Sequence, residues 1–195
     1  MFKRPKLSLG FIAGVLGFAL FGQGFYMGGK ALLAQSLMES AWQKIAASGD
    51  VHMPWSWMDA HPVARLSIAG DDRSHIVLNT DSGQALAFGP AIIQGTEDTD
   101  MLAIAAHKNT QFQYLEHVKL GDIIRLERPE GEVLEYRVSY MNILDSRVQG
   151  ISIADSAETP SRLALVTCYP FDAISFNGPM RYVVYAKRIE TLGDS

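Results

Sequence analysis

The 195-residue chain holds one cysteine, Cys168, within the stretch LVTCYPFD. A lone cysteine is most often a small buried hydrophobe, so its neighbours decide. Leu163-Ala164-Leu165-Val166 reads as a strand that runs up to the thiol, and Pro170 just beyond cannot continue a sheet ladder. A thiol at a strand end beside an enforced turn can face a cleft instead of the core. Only the thiolate attacks, and a free thiol titrates near about 8.5, so nucleophilic chemistry needs a base or ion-pair partner, usually histidine. Five histidines are present: His52, His61, His75, His107 and His117. His107 differs in ending an apolar run, MLAIAAH, ahead of polar Lys108-Asn109-Thr110, and is a second functional group at a strand end. The residues alone leave the other four open. A third group must hold the oxyanion that forms when sulfur adds to a carbonyl. Arg181, early in MRYVVYAKRI and just after the turn Asn177-Gly178-Pro179, can return toward the thiol if the strands flanking that turn are neighbours. Taken alone, it reads as a surface arginine.

Strands must position these groups, and the chain from residue 64 onward is built of short β-rich runs separated by turn residues. The runs are 64–69, 75–79, 85–88, 101–106, 122–127, 133–144, 163–168 and 181–189. Only 110–117 reads as helical in this region. Many short strands with little helix predict an all-β fold, a closed barrel or a sandwich. Ahead of it, 30–48 reads as an amphipathic helix with Leu33, Leu37, Met38, Ala41, Trp42 and Ile45 on one side, stopped by Gly49. The segment 50–62 is a lead-in in which Trp55 and Trp57 are expected to bury against the domain, with membrane-interface anchoring as the rival reading.

The N-terminus carries Lys3, Arg4 and Lys6 ahead of an apolar run over residues 7–29. At about 1.5 Å per residue that run reaches about 34 Å, enough to span a bilayer as a transmembrane helix. Cations before the span place the N-terminus in the cytoplasm and the rest outside. A cleaved signal peptide is the alternative, although its apolar core is usually shorter and a small-residue cleavage site follows it. The expected organisation is therefore 1–29 cytoplasmic tip and anchor, 30–62 juxtamembrane helix and lead-in, and 63–195 the β domain. Composition is that of a folded domain, at 48% hydrophobic and 19% charged, and the net charge of −4 with no clustered basic face argues against nucleic-acid binding. One cysteine excludes an internal disulfide and a multi-thiolate zinc site. The acids Asp71, Asp72, Glu97, Asp98 and Asp100 read as solvated loop residues, so no cofactor is expected and no metal ligands are assigned, with calcium dependence left open by the sequence.

With these residues in place, the chain resembles the sortases, membrane-anchored cysteine transpeptidases whose mark is TLxTC with a histidine upstream and an arginine on the next strand. Here the mark reads Ala164-Leu165-Val166-Thr167-Cys168, with alanine in place of the first threonine. The segments TCYPFD, PWSWMDAHPVARL and LAFGP are similar to those of sortases from Gram-negative proteobacteria. In that group the histidine segment reads like AGHRDTHFRFL, against AAHKNTQFQYL here, so Lys108 and Asn109 replace Arg and Asp. Papain-type proteases place cysteine before histidine, and L,D-transpeptidases carry an H-G-C segment that this chain lacks.

The resemblance implies a closed eight-stranded β-barrel with short helices, and a catalytic set of His107, Cys168 and Arg181. It also implies a peptide groove involving Ala106, Asn109, Leu165 and Thr167. The implied reaction cleaves an LPxTG-like C-terminal sorting signal of an exported client and passes it through a thioacyl intermediate to an amine acceptor. The implied location is the inner membrane, single-pass, with the catalytic domain periplasmic. Some sortases use calcium, but no carboxylate site stands out here. The rival from another class is a membrane-tethered, non-catalytic peptide-binding domain, which has no need of an accessible activated thiol.

Overall fold

The structure, a computed structural model, describes residues 9–97, 99–148, 150, 161–173 and 178–189, and side chains within the N-terminal helix from residue 29 onward. The chain divides into two units, Met1–Ser36 and Leu37–Ser195. Helix α1, Leu9–Ser48, runs through that division without a break. It therefore begins well before the amphipathic stretch expected at 30–48. It ends where expected: Gly49 adopts φ +76°, and its N–H closes the last turn on Ile45 O at 2.8 Å. A left-handed residue after the last turn is the favoured helix stop, and glycine enters that region without a Cβ penalty. The apolar run 7–29 expected to be an anchor lies largely outside the described side chains. Among the described residues no helix is long and apolar enough to cross a membrane.

The second unit is a closed barrel of eight strands. In chain order these are β1 Pro62–Ile68, β2 Ser74–Leu78, β3 Ala91–Ile92, β4 Met101–Ala105, β5 Ile123–Glu127, β6 Val133–Asp145, β7 Arg162–Cys168 and β8 Met180–Arg188. Around the barrel they run β1-β2-β3-β4-β7-β8-β6-β5 and back to β1. The pairs β2–β3 and β4–β7 are parallel; the rest are antiparallel. The interior is filled by alternate residues of each strand, among them Leu66, Ile104, Ile124, Leu126, Tyr136, Leu163, Leu165 and Val184, and is plugged by Phe112 and Leu115. Burying one such aliphatic side chain contributes roughly 1.5–3 kcal/mol.

Two local assignments change. The run 85–88 is a helix, α2 Gly83–Phe88, because Ser82 caps it: the Ala85 N–H donates to Ser82 Oγ at 3.0 Å. The third strand is instead the short Ala91–Ile92, after Gly89-Pro90. Similarly, 110–117 is a run of turns followed by a 3-10 helix, Gln113–His117.

Within the second unit, Met38 of α1 packs with Met58, Ala60, Leu78, Ala85 and Ala91. Glu39 Oε1 accepts from Arg65 Nη2 at 2.7 Å, and the Arg65 guanidinium lies over the Trp42 ring at 5.5 Å. The two lead-in tryptophans part company. Trp55 packs edge-on against Phe88, centroids 4.8 Å apart, whereas Trp57 is 76% exposed.

Candidate active site

Strand β7 is buried on both faces, which is why its sequence is continuously apolar instead of alternating. Alternation still sorts its residues. Leu163 and Leu165 point into the barrel, while Ala164 and Val166 join an outer cluster with Met101, Ala103, Leu144 and Val183. Continued two residues past Val166, the outer row reaches Cys168, half-buried and free.

The neighbours of β7 bring up the other two groups. Strand β4 pairs with it in parallel, with Met101 opposite Arg162 and Ala105 opposite Val166. The Ala106 N–H extends this ladder to Val166 O at 3.1 Å. The same register carried on sets His107 beside Cys168, on strands about 4.8 Å apart. On the other side, β8 pairs antiparallel and Arg181 stands directly opposite Cys168. The outer positions of β4 and β8 are Met101 and Ala103, and Val183, so alternation puts His107 and Arg181 on the same face as the thiol. Cys168 and Arg181 are thus paired across β7 and β8, and His107, two residues beyond the end of β4, lines the same cleft as the thiol.

A cleft of about 350 Å³ opens at this edge, lined by His107, Lys108, Asn109, Thr110 and Cys168. His107 is exposed and the thiol half-buried, so solvent and a peptide can reach both. Arg181 is not among the described residues lining the cleft; its Nη1 donates to Gly178 O at 2.6 Å and Met180 O at 3.0 Å. Its Nε–H and Nη2 remain as donors for another group. The Tyr169–Pro170 peptide is cis. Beyond the thiol, Tyr169, Phe171 and Tyr182 pack together with centroids 5.4–6.4 Å apart, and Tyr182 Oη donates to Met141 Sδ at 3.2 Å. Burial, with Tyr169 alongside, pushes the Tyr182 phenol above its ordinary range.

Of the four residues expected to form the peptide groove, only Asn109 lines the cleft. Ala106 and Leu165 are in the barrel core, and Thr167 is 2% exposed with its Oγ1 donating to Ala106 O at 2.8 Å. These three stand behind the cleft and join β4 to β7; strand parity alone would have placed Leu165 and Thr167 opposite the thiol's face. The remaining histidines lie elsewhere. His75 stacks on Tyr114 at 5.8 Å, His52 contacts Ser48, and His61 sits at the start of the barrel. The feature not legible beforehand is Lys108, buried at 4% exposure.

Loop acids are engaged locally. Asp71 binds Arg73, Asp100 binds Ser161 and Arg162, and Glu97 accepts from the Gly95 N–H; Asp98 lies outside the described residues. Among the described residues no three metal-binding side chains cluster.

A closed eight-stranded barrel with a lone thiol at the end of a central strand defines a class of β-barrel cysteine enzymes. The sortase domain model matches residues 66–189, and the chain belongs to the sortase family, cysteine transpeptidases that act on sorting signals. Among solved structures it is similar to a lid mutant of sortase A from Corynebacterium diphtheriae, with 19% identity, a TM-score of 0.58, and 82% of this chain and 95% of that chain covered. It is also similar to sortase C1 from Streptococcus suis, with 20% identity, a TM-score of 0.55 and coverage of 68% and 75%. A third is Clostridium perfringens sortase C with the C-terminal cell wall sorting motif, with 16% identity, a TM-score of 0.56 and coverage of 84% and 91%. Comparison with curated proteins gives no match.

Proposed function

We propose that this sortase is a membrane-anchored transpeptidase of the Gram-negative class, with Cys168 as nucleophile, His107 as acid and base, and Arg181 as the oxyanion or peptide-backbone partner. The observation that carries this reading is that Cys168 lines one cleft with His107 and stands opposite Arg181 on the adjacent strand. Cys168 Sγ bonds to the carbonyl carbon of a Thr-Gly-like bond in an LPxTG-like signal. The C–N bond breaks, and the leaving amine takes a proton from His107. An amine acceptor then attacks the thioester, gives its proton to His107 and releases the thiolate. Because one group acts protonated and the other deprotonated, turnover should rise and then fall with pH. The segments TCYPFD, PWSWMDAHPVARL and LAFGP support the Gram-negative class, and the apolar run 7–29 behind Lys3, Arg4 and Lys6 supports an inner-membrane anchor with a periplasmic domain.

The test incubates the full chain with internally quenched LPxTG-type peptides and a small amine, and traps the thioester by mass spectrometry. Cys168→Ala should fold cooperatively and lose all transfer. Turnover in that variant, or a parent whose thiol resists alkylation as in a binding domain, would remove the assignment. The anchor is tested by fractionation: the protein should resist salt and carbonate extraction from membranes, and a mature N-terminus well beyond Gly29 would overturn it.

A further inference from the structure

Lys108 follows His107 directly and is almost wholly buried, yet among the described residues it makes no ion pair. Burying an ammonium without a carboxylate is costly unless its protons find strong acceptors. Lys108 Nζ finds two, donating to Pro170 O at 2.5 Å and Ala173 O at 2.7 Å. Both belong to the loop that leaves Cys168, and the two carbonyls bracket Phe171 and Asp172. Among the described residues no backbone–backbone hydrogen bond holds 170–173 to the barrel. Among the described residues, what ties 170–173 down is the Lys108 ammonium together with the packing of Phe171 on Tyr169, on Tyr182 and against the barrel core.

We infer that Lys108 is a positioning residue: its ammonium latches the post-cysteine loop to the end of β4, so that Cys168 is held at a set distance and angle from His107. This rests on the transpeptidase reading of the site. The chain places His107 and Lys108 side by side, with one residue supplying the imidazole and the next gripping the segment that carries the thiol. Any slack in the loop therefore becomes slack between nucleophile and base. A misplacement of about 1 Å between reacting groups can cost on the order of 100-fold in rate.

Two measurements test it, on the parent, Lys108→Met, Lys108→Gln and Lys108→Arg. The first needs no client: chymotrypsin is used to nick the chain after Phe171, followed by mass spectrometry. The Met and Gln variants should be cut about tenfold faster than the parent while melting cooperatively, and Arg, which can still donate to both carbonyls, should stay near the parent. The second is turnover of an internally quenched LPxTG-type peptide. Here kcat should fall about 10- to 100-fold in the Met and Gln variants with KM changed less than about threefold, and Arg should recover most of the loss. Unchanged nicking in both Met and Gln overturns the latch. Faster nicking with unchanged kcat reduces Lys108 to a structural strut and overturns the positioning role, as does an Arg variant as poor as Met. If the parent turns over no sorting peptide, the transpeptidase reading fails, and the nicking comparison still decides the latch.

Discussion

Arg181 has two candidate roles, and its surroundings make them separable. The Nη1 protons are committed to its own turn at Gly178 and Met180, leaving Nε and Nη2 for substrate. Losing one preorganised oxyanion donor typically costs about 100- to 1000-fold in kcat. Arg181→Ala should show a loss of that order, and Arg181→Lys should recover little, because a single ammonium cannot both hold the turn and reach the substrate. A loss in kcat with KM unchanged assigns the oxyanion; a rise in KM with kcat preserved assigns peptide positioning. Steady-state kinetics on a sorting peptide makes the distinction.

At the scale of elements, α2 shows how a capping residue outweighs β-pattern. The run Ala85–Phe88 is apolar, bounded by turn residues and short enough for a strand, but Ser82 satisfies the first turn of a helix. Ser82→Ala should therefore cost about 1 kcal/mol. At the other end Gly89 sits with extended backbone, and a Cβ there would meet Ile76 O at 3.0 Å. Gly89→Ala should cost about 1–3 kcal/mol by forcing β2 away from the helix end. Urea unfolding reads both as a lower midpoint with an unchanged slope. Neither change touches the cleft, so the rate of Cys168 alkylation should stay at the parent value.

For the whole molecule, acid sensitivity should come from histidines outside the candidate site. Burial lowers His75, with Arg73 adding to the effect and Asp71 opposing it; burial also lowers His61. A neutral form favoured by folding means the unfolded chain takes up the proton first. The stabilisation is full above the ordinary value of 6.5 and is lost as pH falls through the lower folded values. Asp71 and Asp145, held at about 2 by Arg73 and Arg147, act only further down, between the ordinary 3.8 and about 2. The melting temperature should thus fall as the pH drops below the ordinary histidine value of 6.5, before the aspartates begin to act. His75→Gln should flatten that slope, and an unchanged slope in that variant would clear His75 of the effect.

The sequence alone determined the solitary thiol at a strand end, a second strand-end group at His107, a β-rich domain of short strands and the glycine stop at residue 49. Each is a short-range matter of periodicity, punctuation or counting. Eight candidate runs were legible, of which one turned out to be a helix, and the real third strand was two residues long. So short a strand exists only because β2 and β4 lie on either side to pair with it, and no local pattern encodes that. Tertiary structure decided the rest of the site. The parallel register of β4 on β7 brought His107 to the cleft of the thiol, and the antiparallel register of β8 brought Arg181 opposite it. Closure of the barrel turned Ala106, Leu165 and Thr167 inward. Burial of Lys108 depended on two carbonyls more than sixty residues away in the chain. A lysine between a histidine and an asparagine reads as solvated surface until something folds over it, because the cost of burying its charge is set wholly by partners that the local sequence does not contain.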